Sequence, residues 1–254
     1  MEKKTAFITG ASSGIGLACA HRFAEAGINL LLCARRKDRI EKIVRELTSK
    51  YNTKVYGFTL DVRNQKEVDQ AWDSLPAEWK NIDILLNNAG LARGFSKLHE
   101  GQISDWDEMI DTNIKGLLYI TRRVVPEMVR LNRGDIVNIG SIAGHEVYPN
   151  GNVYCATKYA VKALTEGLRI DLVGTPIRVS TVDPGMVETE FSLVRFHGDK
   201  NKANSVYKGL SPLTAYDIAE TVYFCVSRPE HVQIAEIVIL PTAQRSAVIS
   251  HRDS

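Results

Sequence analysis

Short runs of β-forming residues alternate with helical patterns along nearly the whole chain, and this alternation constrains the fold more than any other feature. Seven strands are predicted, at Ala6–Thr9, Asn29–Ala34, Val55–Leu60, Ile82–Asn87, Gly134–Gly140, Arg178–Asp183 and Glu236–Leu240. Strands joined by helices pair in parallel, because parallel strands need long crossover connections, and the helices then cover both faces of the sheet. The sequence therefore predicts an α/β fold with a doubly wound, seven-stranded parallel sheet.

The predicted elements follow one another without a linker rich in proline, glycine or serine. A chain of 254 residues lies within the size range of one α/β domain, so residues 1–254 are predicted to form a single domain. Two segments depart from the alternation. Residues 189–207 are polar and are predicted to form an irregular lid after the sixth strand, and the tail 241–254 is too short for a further strand and helix.

The distribution of charge and of apolar residues excludes two classes of partner. The 32 basic and 30 acidic residues give a net charge of +2 and are interspersed, so no basic face for nucleic acid is predicted. No stretch reaches the roughly 20 apolar residues that cross a bilayer, and no apolar leader precedes the first strand. No association with a membrane is expected.

The spacing of cysteine and histidine argues against a metal centre. The four cysteines have no CxxC spacing and are interpreted as reduced thiols of a cytoplasmic protein; they are Cys19, Cys33, Cys155 and Cys225. The six histidines show no HxxH or HxxxH spacing. The sequence therefore predicts neither a disulfide framework nor a catalytic metal.

A glycine-rich turn follows the first predicted strand directly and leads into a helix. Its residues include Gly10, Ser12, Ser13, Gly14, Ile15 and Gly16. Glycine lets the backbone approach a diphosphate closely, and the first amides of the helix carry a partial positive charge that favours an anion. A plain tight turn is the alternative, but the strand–turn–helix setting favours a dinucleotide cofactor.

The residues about 20 positions further along distinguish the two nicotinamide cofactors, because an NAD site places an acidic residue there and an NADP site places arginine near the 2′-phosphate. This chain has Arg35 and Arg36 at the end of the second strand, and Asp38 is the first acidic residue. Guanidinium groups bind phosphate through paired hydrogen bonds, so NADP is predicted, with a solvated basic turn as the alternative. Asp61 and Val62, after the third strand, are expected to face the adenine.

Six motifs in the order found in one known family extend this interpretation. They are Thr9–Gly16, Asn87-Asn88-Ala89-Gly90, Asn113, Ser141, Tyr154-x-x-x-Lys158 and Pro184-Gly185. Together they resemble the short-chain dehydrogenase/reductase family over nearly the whole chain. One such motif arises by chance, but six at compatible spacings hardly do.

The resemblance implies hydride transfer between the cofactor and an alcohol or carbonyl group, with Tyr154 as proton donor and acceptor. Lys158 lies one helical turn later, and its ammonium is expected to favour the phenolate and to bind the nicotinamide ribose. Ser141 is expected to hold the substrate oxygen, and Asn113 a water that links the lysine to solvent. Taken singly, Ser141 also fits a helix cap and Asn113 a buried amide. The tyrosine and lysine also fit an exposed pair on a helix.

The other motif residues are expected to complete the cofactor channel. By the same resemblance, Asn88 and Ala89 are expected to lie close to the adenosine ribose. Gly90, which has no side chain, is expected to leave space for the cofactor. The residues expected to reach the carboxamide and the diphosphate follow the sixth strand and are Pro184, Gly185, Val187 and Thr189.

The segment Phe191–Tyr207 and the ending from Leu240 to Arg252 resemble one branch of the family, the NADP-dependent serine/3-hydroxy acid dehydrogenases. That branch oxidises small 3-hydroxy acids such as serine, allo-threonine and 3-hydroxyisobutyrate. A carboxylate substrate needs a cationic partner, and three candidates stay open, namely Arg93, His145 and Arg195. Each also fits a solvated loop residue, and His145 with Glu146 departs from the smaller or apolar residues expected there.

Two other functions remain open on the sequence. A broad carbonyl or 3-oxoacyl reductase using NADPH would use the same tyrosine and lysine. A nucleotide-sensing regulator would keep the fold without the chemistry, although such proteins usually lack the tyrosine or the lysine.

The predicted helix Tyr154–Leu172 has apolar residues on more than one face. Such a helix is usually buried on two sides, which favours a subunit interface. A homo-oligomer is therefore predicted, a tetramer as in the family. The tail is expected to lie across that interface, with a frayed terminus as the alternative.

Overall fold

Seven parallel strands form one sheet, as the sequence predicts. The computed structural model describes residues 3–253. Its strands are β1 (Thr5–Thr9), β2 (Asn29–Ala34), β3 (Val55–Thr59), β4 (Ile84–Asn87), β5 (Asp135–Ile139), β6 (Arg178–Pro184) and β7 (Glu236–Ile239). Their order across the sheet is β3-β2-β1-β4-β5-β6-β7, and the neighbouring strands are parallel. Each strand begins and ends within two residues of its predicted limits.

Within residues 3–253, nine α-helices connect or follow these strands. They are α1 (Gly14–Glu25), α2 (Lys37–Lys50), α3 (Gln65–Ser74), α4 (Ile103–Ile110), α5 (Leu117–Leu131), α6 (Asn152–Asp171), α7 (Phe191–Arg195), α8 (Lys200–Ser205) and α9 (Ala215–Val226). A π-helical turn at Asp111–Gly116 separates α4 from α5. In the described part of the chain, no helix has the length and apolar character needed to cross a membrane.

Helices cover both faces of the sheet because each strand sends alternate side chains to opposite faces. In β1, Ala6 and Ile8 join one apolar layer and Phe7 joins the other. The first layer packs against α1, α2 and α9, and the second against α3, α5 and the end of α6. This arrangement is the predicted doubly wound α/β fold.

The chain reverses its direction across the sheet at the centre. From β1 it proceeds outward through β2 and β3, and then returns to place β4 on the other side of β1. A crevice opens where the connections diverge, at the carboxyl ends of β1 and β4. Beneath it, the Asn88 side-chain amide donates to the Thr9 carbonyl at 2.9 Å, and the Asn88 and Ala89 amides donate to Thr9 Oγ1 at 3.0 Å. These hydrogen bonds hold the two strand ends together under the crevice.

The segment predicted as an irregular lid is partly helical, so that part of the prediction is wrong. It contains α7 and α8, joined by a turn in which His197 and Gly198 have φ of +52° and +90°. Helices of five and six residues are too short to show a periodic apolar pattern, which is why the sequence did not reveal them.

The tail packs against its own chain as far as residue 253. Gln244 is buried, and its Oε1 accepts a hydrogen bond from the Met186 amide at 2.8 Å. Arg252 donates to two carbonyls at the end of the lid segment, and the Asp253 amide donates to the Gly209 carbonyl at 2.8 Å. These contacts argue against a frayed terminus, while a position across a subunit interface stays a prediction.

A buried ion pair lies at the amino-terminal edge of the sheet, opposite the crevice. Arg178 begins β6 and Asp135 begins β5, and their Nε and Oδ1 atoms are 2.6 Å apart. The other N–H groups of Arg178 donate to the backbone carbonyls of Val226, Arg228, Pro229 and Val232. One guanidinium therefore joins two strands to the loop that precedes β7.

Replacing Arg178 with leucine should lower the free energy of unfolding by about 3–5 kcal/mol, because the Asp135 carboxylate would stay buried without its partner. Urea unfolding followed by circular dichroism measures this loss. Arg130→Ala is the control, since it removes an exposed arginine paired with Glu127 one turn away and should change stability far less. Losses of equal size in the two variants would contradict the prediction.

Candidate active site

A cleft of about 570 Å³ opens at the carboxyl ends of the strands, over the crevice between β1 and β4. The predicted cofactor residues in its walls, apart from the catalytic pair, are Gly10, Ser12, Ser13, Gly14, Ile15, Arg35, Arg36, Asp61, Val62, Asn88, Ala89, Gly90, Pro184, Gly185, Val187 and Thr189. Three predicted catalytic residues, Ser141, Tyr154 and Lys158, line the same cleft. The predicted residues outside its lining are Gly16, Arg93, Asn113, His145 and Arg195.

The glycine-rich turn leaves the start of α1 open to the cleft. Gly10 and Gly14 have φ of +66° and +53°, a backbone conformation that side chains disfavour. Ser13, which precedes the helix, makes no side-chain cap, so its side chain leaves the first amides of α1 free for another acceptor. Gly16 serves packing instead, because a Cβ there would lie 2.4 Å from the Asn88 amide nitrogen. The turn is thus a cradle for an anion, braced by the close approach at Gly16.

The Arg36 side chain lies across this turn, and a second arginine, Arg39, shares an acidic partner with it. Its guanidinium donates to Ser12 Oγ at 2.9 and 3.1 Å and to Ser13 Oγ at 2.7 Å. Glu190, on the other side of the cleft, pairs with Arg36 at 2.8 Å and with Arg39 at 2.7 Å. Hydrogen bonds from the two arginines hold the pKa of Glu190 below its ordinary value. This end of the cleft therefore concentrates donors of the kind that bind phosphate.

Asp61 and Val62 line the same cleft. Arg63 donates to both carboxylate oxygens of Asp61, at 2.6 to 3.0 Å. Burial opposes ionisation of this carboxyl group, but the hydrogen bonds from Arg63 outweigh it and hold the pKa of Asp61 below its ordinary value. The negative charge of Asp61 is therefore offset by Arg63, which weakens its repulsion of an anionic ligand in the cleft.

Tyr154 lies on the inner wall of the cleft, buried on α6. Its ring packs edge-on against Phe191 of α7, with centroids 5.5 Å apart. Burial raises the pKa of the Tyr154 phenol, and the neighbouring hydroxyl of Ser141 and the charge of Arg195 partly oppose that rise. Ser141 also caps the short turn Ile142–Gly144, since its Oγ accepts from the Ala143 amide at 3.1 Å. The cap and the placement beside Tyr154 are both present, so the two interpretations of this serine are compatible.

Lys158 lies one helical turn after Tyr154, and both side chains are buried. The alternative of an exposed tyrosine–lysine pair on a helix is therefore wrong. Its Nζ donates to the Ile139 carbonyl at 2.8 Å and lies 5.8 Å from the centroid of the Tyr154 ring. Burial lowers the pKa of Lys158 to about 8, and the negative charge of Asp183 opposes that change. The tyrosine and the lysine thus share one buried environment that disfavours the charged form of both.

Asn113 lies in the π-helical turn and serves as a clamp behind the cleft. Its side chain accepts from the Leu91 amide at 2.9 Å and donates to the Leu91 carbonyl at 2.8 Å. It also donates to Thr157 Oγ1 on α6, at 3.0 Å. The side chain therefore fixes the loop after β4 to the catalytic helix, and the predicted water-holding role stays untested. A π-helical turn of this kind is common at functional sites.

The three candidates for a substrate carboxylate lie in different surroundings. Arg93 donates to Glu108 at 2.6 Å and to the Val194 carbonyl at 2.6 Å, so an acidic partner already holds it. His145 turns away from the cleft and lies 2.7 Å from Asp183. Arg195 has its guanidinium carbon 5.6 Å from the centroid of the Tyr154 ring, and its Nη1 donates to the Tyr148 hydroxyl at 2.8 Å. Of the three, Arg195 is the one beside the tyrosine.

Comparison with known proteins gives the family. The family model for short chain dehydrogenases matches residues 4–199. The chain belongs to the short chain dehydrogenase family. The match includes the glycine-rich turn, the π-helical turn and the Tyr154–Lys158 pair.

Relatives within this family align over almost the full chain. The NADP-dependent 3-hydroxy acid dehydrogenase of Schizosaccharomyces pombe is 48% identical over 248 residues, which cover 97% of this chain and 96% of that protein. A protein of the same name from Escherichia coli strain K12 is 44% identical over 247 residues, which cover 96% of this chain and 98% of that protein. The closed form of serine dehydrogenase complexed with NADP+ has a TM-score of 0.91 at 43% identity, covering 98% of this chain and 100% of that chain.

Sequence reasoning missed several residues of this dehydrogenase cleft. Glu190 belongs to none of the sequence motifs, although it immediately follows the predicted cofactor residue Thr189. Phe191 packs against the Tyr154 ring, and Tyr148 accepts a hydrogen bond from Arg195. Their only signal in the sequence is that each lies a few positions from a predicted site residue. Leu91, Thr112 and Val194 also line the cleft, and their residue types resemble those of any core position.

The structure groups three potential metal ligands that are distant in sequence, His145, Asp183 and Glu236. Their ligand atoms lie within 4.8 Å of one another. The ammonium of Lys162 lies 3.1 Å from His145 Nδ1 and 3.4 Å from a Glu236 oxygen. A positive charge is therefore already part of this group, and the absence of a metal stays a prediction.

The clamp at Asn113 gives a graded prediction. Asn113→Ala leaves the buried Leu91 amide and carbonyl without this partner, and should lower the free energy of unfolding by about 2–4 kcal/mol. Thr157→Val removes one acceptor of the same side chain, together with a hydrogen bond within α6 to the Tyr154 carbonyl, and should cost about 1–2 kcal/mol. Urea unfolding of both variants measures the two losses. A larger loss for Thr157→Val than for Asn113→Ala would contradict the assigned clamp.

Proposed function

We propose that this chain is an NADP-dependent oxidoreductase that transfers a hydride between the nicotinamide and the carbinol carbon of a small 3-hydroxy acid, with Tyr154 as the acid and base. The observation that carries the proposal is the placement of Ser141, Tyr154 and Lys158 in one cleft, with the Arg195 guanidinium beside the tyrosine ring. Serine, allo-threonine and 3-hydroxyisobutyrate are substrates of this type. The names of the relatives, 3-hydroxy acid dehydrogenase and serine dehydrogenase, support this choice.

The residues of the cleft fit NADP. The open amides at the start of α1 suit the diphosphate, and Arg36 with the hydroxyls of Ser12 and Ser13 suits the 2′-phosphate. The 2′-phosphate would compete with Glu190 for Arg36 and Arg39. The cleft also offers the buried Thr112 hydroxyl, which has no hydrogen-bond partner among the described residues. When bound, the cofactor accepts or supplies the hydride.

The protein's own residues move the proton. In the reducing direction Tyr154 donates its phenolic proton to the substrate oxygen, and its raised pKa keeps that proton available. In the oxidising direction the phenolate accepts the proton of the substrate hydroxyl, and the nearby charges of Lys158 and Arg195 stabilise the phenolate. Ser141 donates a hydrogen bond to the oxygen that gains or loses charge.

Arg195 is our choice for the residue that binds the substrate carboxylate. Arg93 is held by Glu108, and His145 faces Asp183 behind the cleft, so each already has an acidic partner. The contacts of Arg195 are neutral instead: the Tyr148 hydroxyl and the Gly94 carbonyl. A guanidinium bound to neutral groups retains its charge for an incoming carboxylate.

Residues 189–207 are proposed to act as a lid over this site, within a single domain. The segment supplies both Phe191, against the Tyr154 ring, and Arg195. The tail 241–254 contacts the end of this segment through Arg252. Closure of such a segment would exclude water from the reacting groups.

A homotetramer is also part of the proposal. Apolar side chains are exposed on α4, α5 and α6, including Ile103, Leu118, Val129 and Ile170. Exposed apolar groups on neighbouring helices are typical of subunit interfaces. A cytoplasmic location is supported by the four cysteines, which are unpaired and buried.

The activity assay follows the absorbance of the reduced nicotinamide with NADP or NAD against serine, 3-hydroxyisobutyrate and alcohols without a carboxylate. Turnover is expected with NADP and the hydroxy acids. Tyr154→Phe should lower kcat by about 10²–10⁴-fold because the proton donor is lost. Tyr223→Phe, which removes the same hydroxyl on α9 outside the cleft, should keep full activity.

The other two functions predict different results in this assay. Turnover only with NADPH and bulky ketones or acyl thioesters would replace the substrate assignment by a broad carbonyl or 3-oxoacyl reductase. Binding of NADP without turnover of any substrate would indicate a nucleotide-sensing regulator.

Arg195→Gln should raise KM for 3-hydroxy acids by roughly 10–100-fold, since a charge-assisted hydrogen bond contributes about 1.5–3 kcal/mol. Alcohols without a carboxylate should lose much less activity, since for them Arg195 acts only through its charge beside Tyr154. Lys97→Gln is the matched control, because it removes an exposed positive charge from the loop after β4. Equal losses on both classes of substrate would assign Arg195 to the support of Tyr154 instead.

A further inference from the structure

A chain of polar side chains lies outside the lining of the cleft, close to Lys158. Asp183 on β6 is 2% exposed, and its Oδ2 lies 2.7 Å from His145 Nε2. His145 Nδ1 lies 3.1 Å from the ammonium of Lys162 on α6. Glu236 on β7 lies 3.4 Å from the same ammonium, at the more exposed end of the group. None of these four residues lines the cleft.

The hydrogen bonds assign a role to each partner of Asp183. An ammonium has only donors, so Lys162 donates to Nδ1 of His145, and the Nε2–H of that ring donates to the Asp183 carboxylate. The other oxygen of Asp183 accepts from Thr181 Oγ1 at 2.6 Å. Two donors therefore satisfy both oxygens of this buried carboxylate.

The Asp183 carboxylate lies directly behind the backbone that binds Lys158. The lysine ammonium donates to the Ile139 carbonyl, and Gly140 follows in the chain. A Cβ on Gly140 would lie 1.8 Å from Asp183 Oδ1, so glycine is required for the carboxylate to occupy this place. The Asp183 carboxylate thus contacts Gly140, while the Lys158 ammonium binds the preceding residue, Ile139.

We propose that Asp183, held by His145 and Thr181, is a positioning residue that keeps the Lys158 ammonium protonated at working pH. The proposal rests on the function proposed above, in which that ammonium stabilises the Tyr154 phenolate. Burial alone lowers the pKa of Lys158, and Asp183 is the charge that opposes it.

The other groups packed around Lys158 leave this charge in place. Tyr154 faces the ammonium from α6, and both Lys158 Nζ and the neutral amide of Asn113 lie close to Gly90, within 4 Å of the place that a Cβ there would take. Lys162 and Glu236 lie beyond His145 and offset each other as an ion pair. The field at Lys158 from this side is therefore that of Asp183.

The test measures Lys158 directly and does not depend on turnover. Trace labelling with acetic anhydride across the pH range, read by peptide mass spectrometry, reports the fraction of neutral Lys158 amine. Asp183→Asn keeps the shape of the side chain and should move this titration to lower pH by about one unit, because loss of a nearby anion favours the neutral amine. Glu236→Gln removes the same charge at the more exposed end of the group, where solvent screens it, and should move the titration far less than Asp183→Asn does.

The pH profile of kcat/KM supplies a second readout. In Asp183→Asn its alkaline limb, which follows loss of the Lys158 proton, should move to lower pH. Its acid limb in the oxidising direction should move the same way, because removing an anion also favours the Tyr154 phenolate. A His145→Leu variant should show a smaller shift of the same sign, and His145→Gln, which keeps a donor, should restore the profile.

The outcomes separate this inference from the proposed function. An unshifted Lys158 titration in folded Asp183→Asn and in His145→Leu would overturn the inference, as would an equal shift in Glu236→Gln. A shifted Lys158 titration in a protein that turns over no hydroxy acid would support the role of Asp183 and contradict the proposed function.

Discussion

The rest of the structure depends on the parallel arrangement of the seven strands. Parallel strands place all their carboxyl ends at one edge, so loops from distant parts of the chain meet there. The Asn88 and Thr9 hydrogen bonds close the base of the central crevice, and the other edge carries the Arg178–Asp135 pair. The buried ion pair and the groups that face the cleft are thus separated by the length of a strand.

Burial has opposite consequences for the two central residues of the cleft. The same apolar surroundings raise the pKa of Tyr154 and lower the pKa of Lys158, so each favours its neutral form. Proton exchange at a carbinol oxygen requires the tyrosine to pass between two forms. The nearby charges of Arg195 and Asp183 oppose the effect of burial, the first at Tyr154 and the second at Lys158.

The sheet was predictable because periodic patterns and strand-to-helix turns are local in sequence. The glycine-rich turn and the spacing of Tyr154 and Lys158 are local as well, and the structure brings both to one cleft. The orientation of His145 was not predictable, since its partner Asp183 is 38 residues away and reaches it only through the fold. For the same reason Glu190 escaped notice, because its contacts with Arg36 and Arg39 span more than 150 positions.

Glu190 and Phe191 are consecutive residues that contact opposite ends of the cleft. The first is bound to the arginines beside the glycine-rich turn, and the second packs against the tyrosine ring. Consecutive Cα atoms are only 3.8 Å apart, so one short piece of backbone holds both side chains. A shift of the backbone at this dipeptide would consequently displace both contacts together, which makes it a structural link between the two halves of the site.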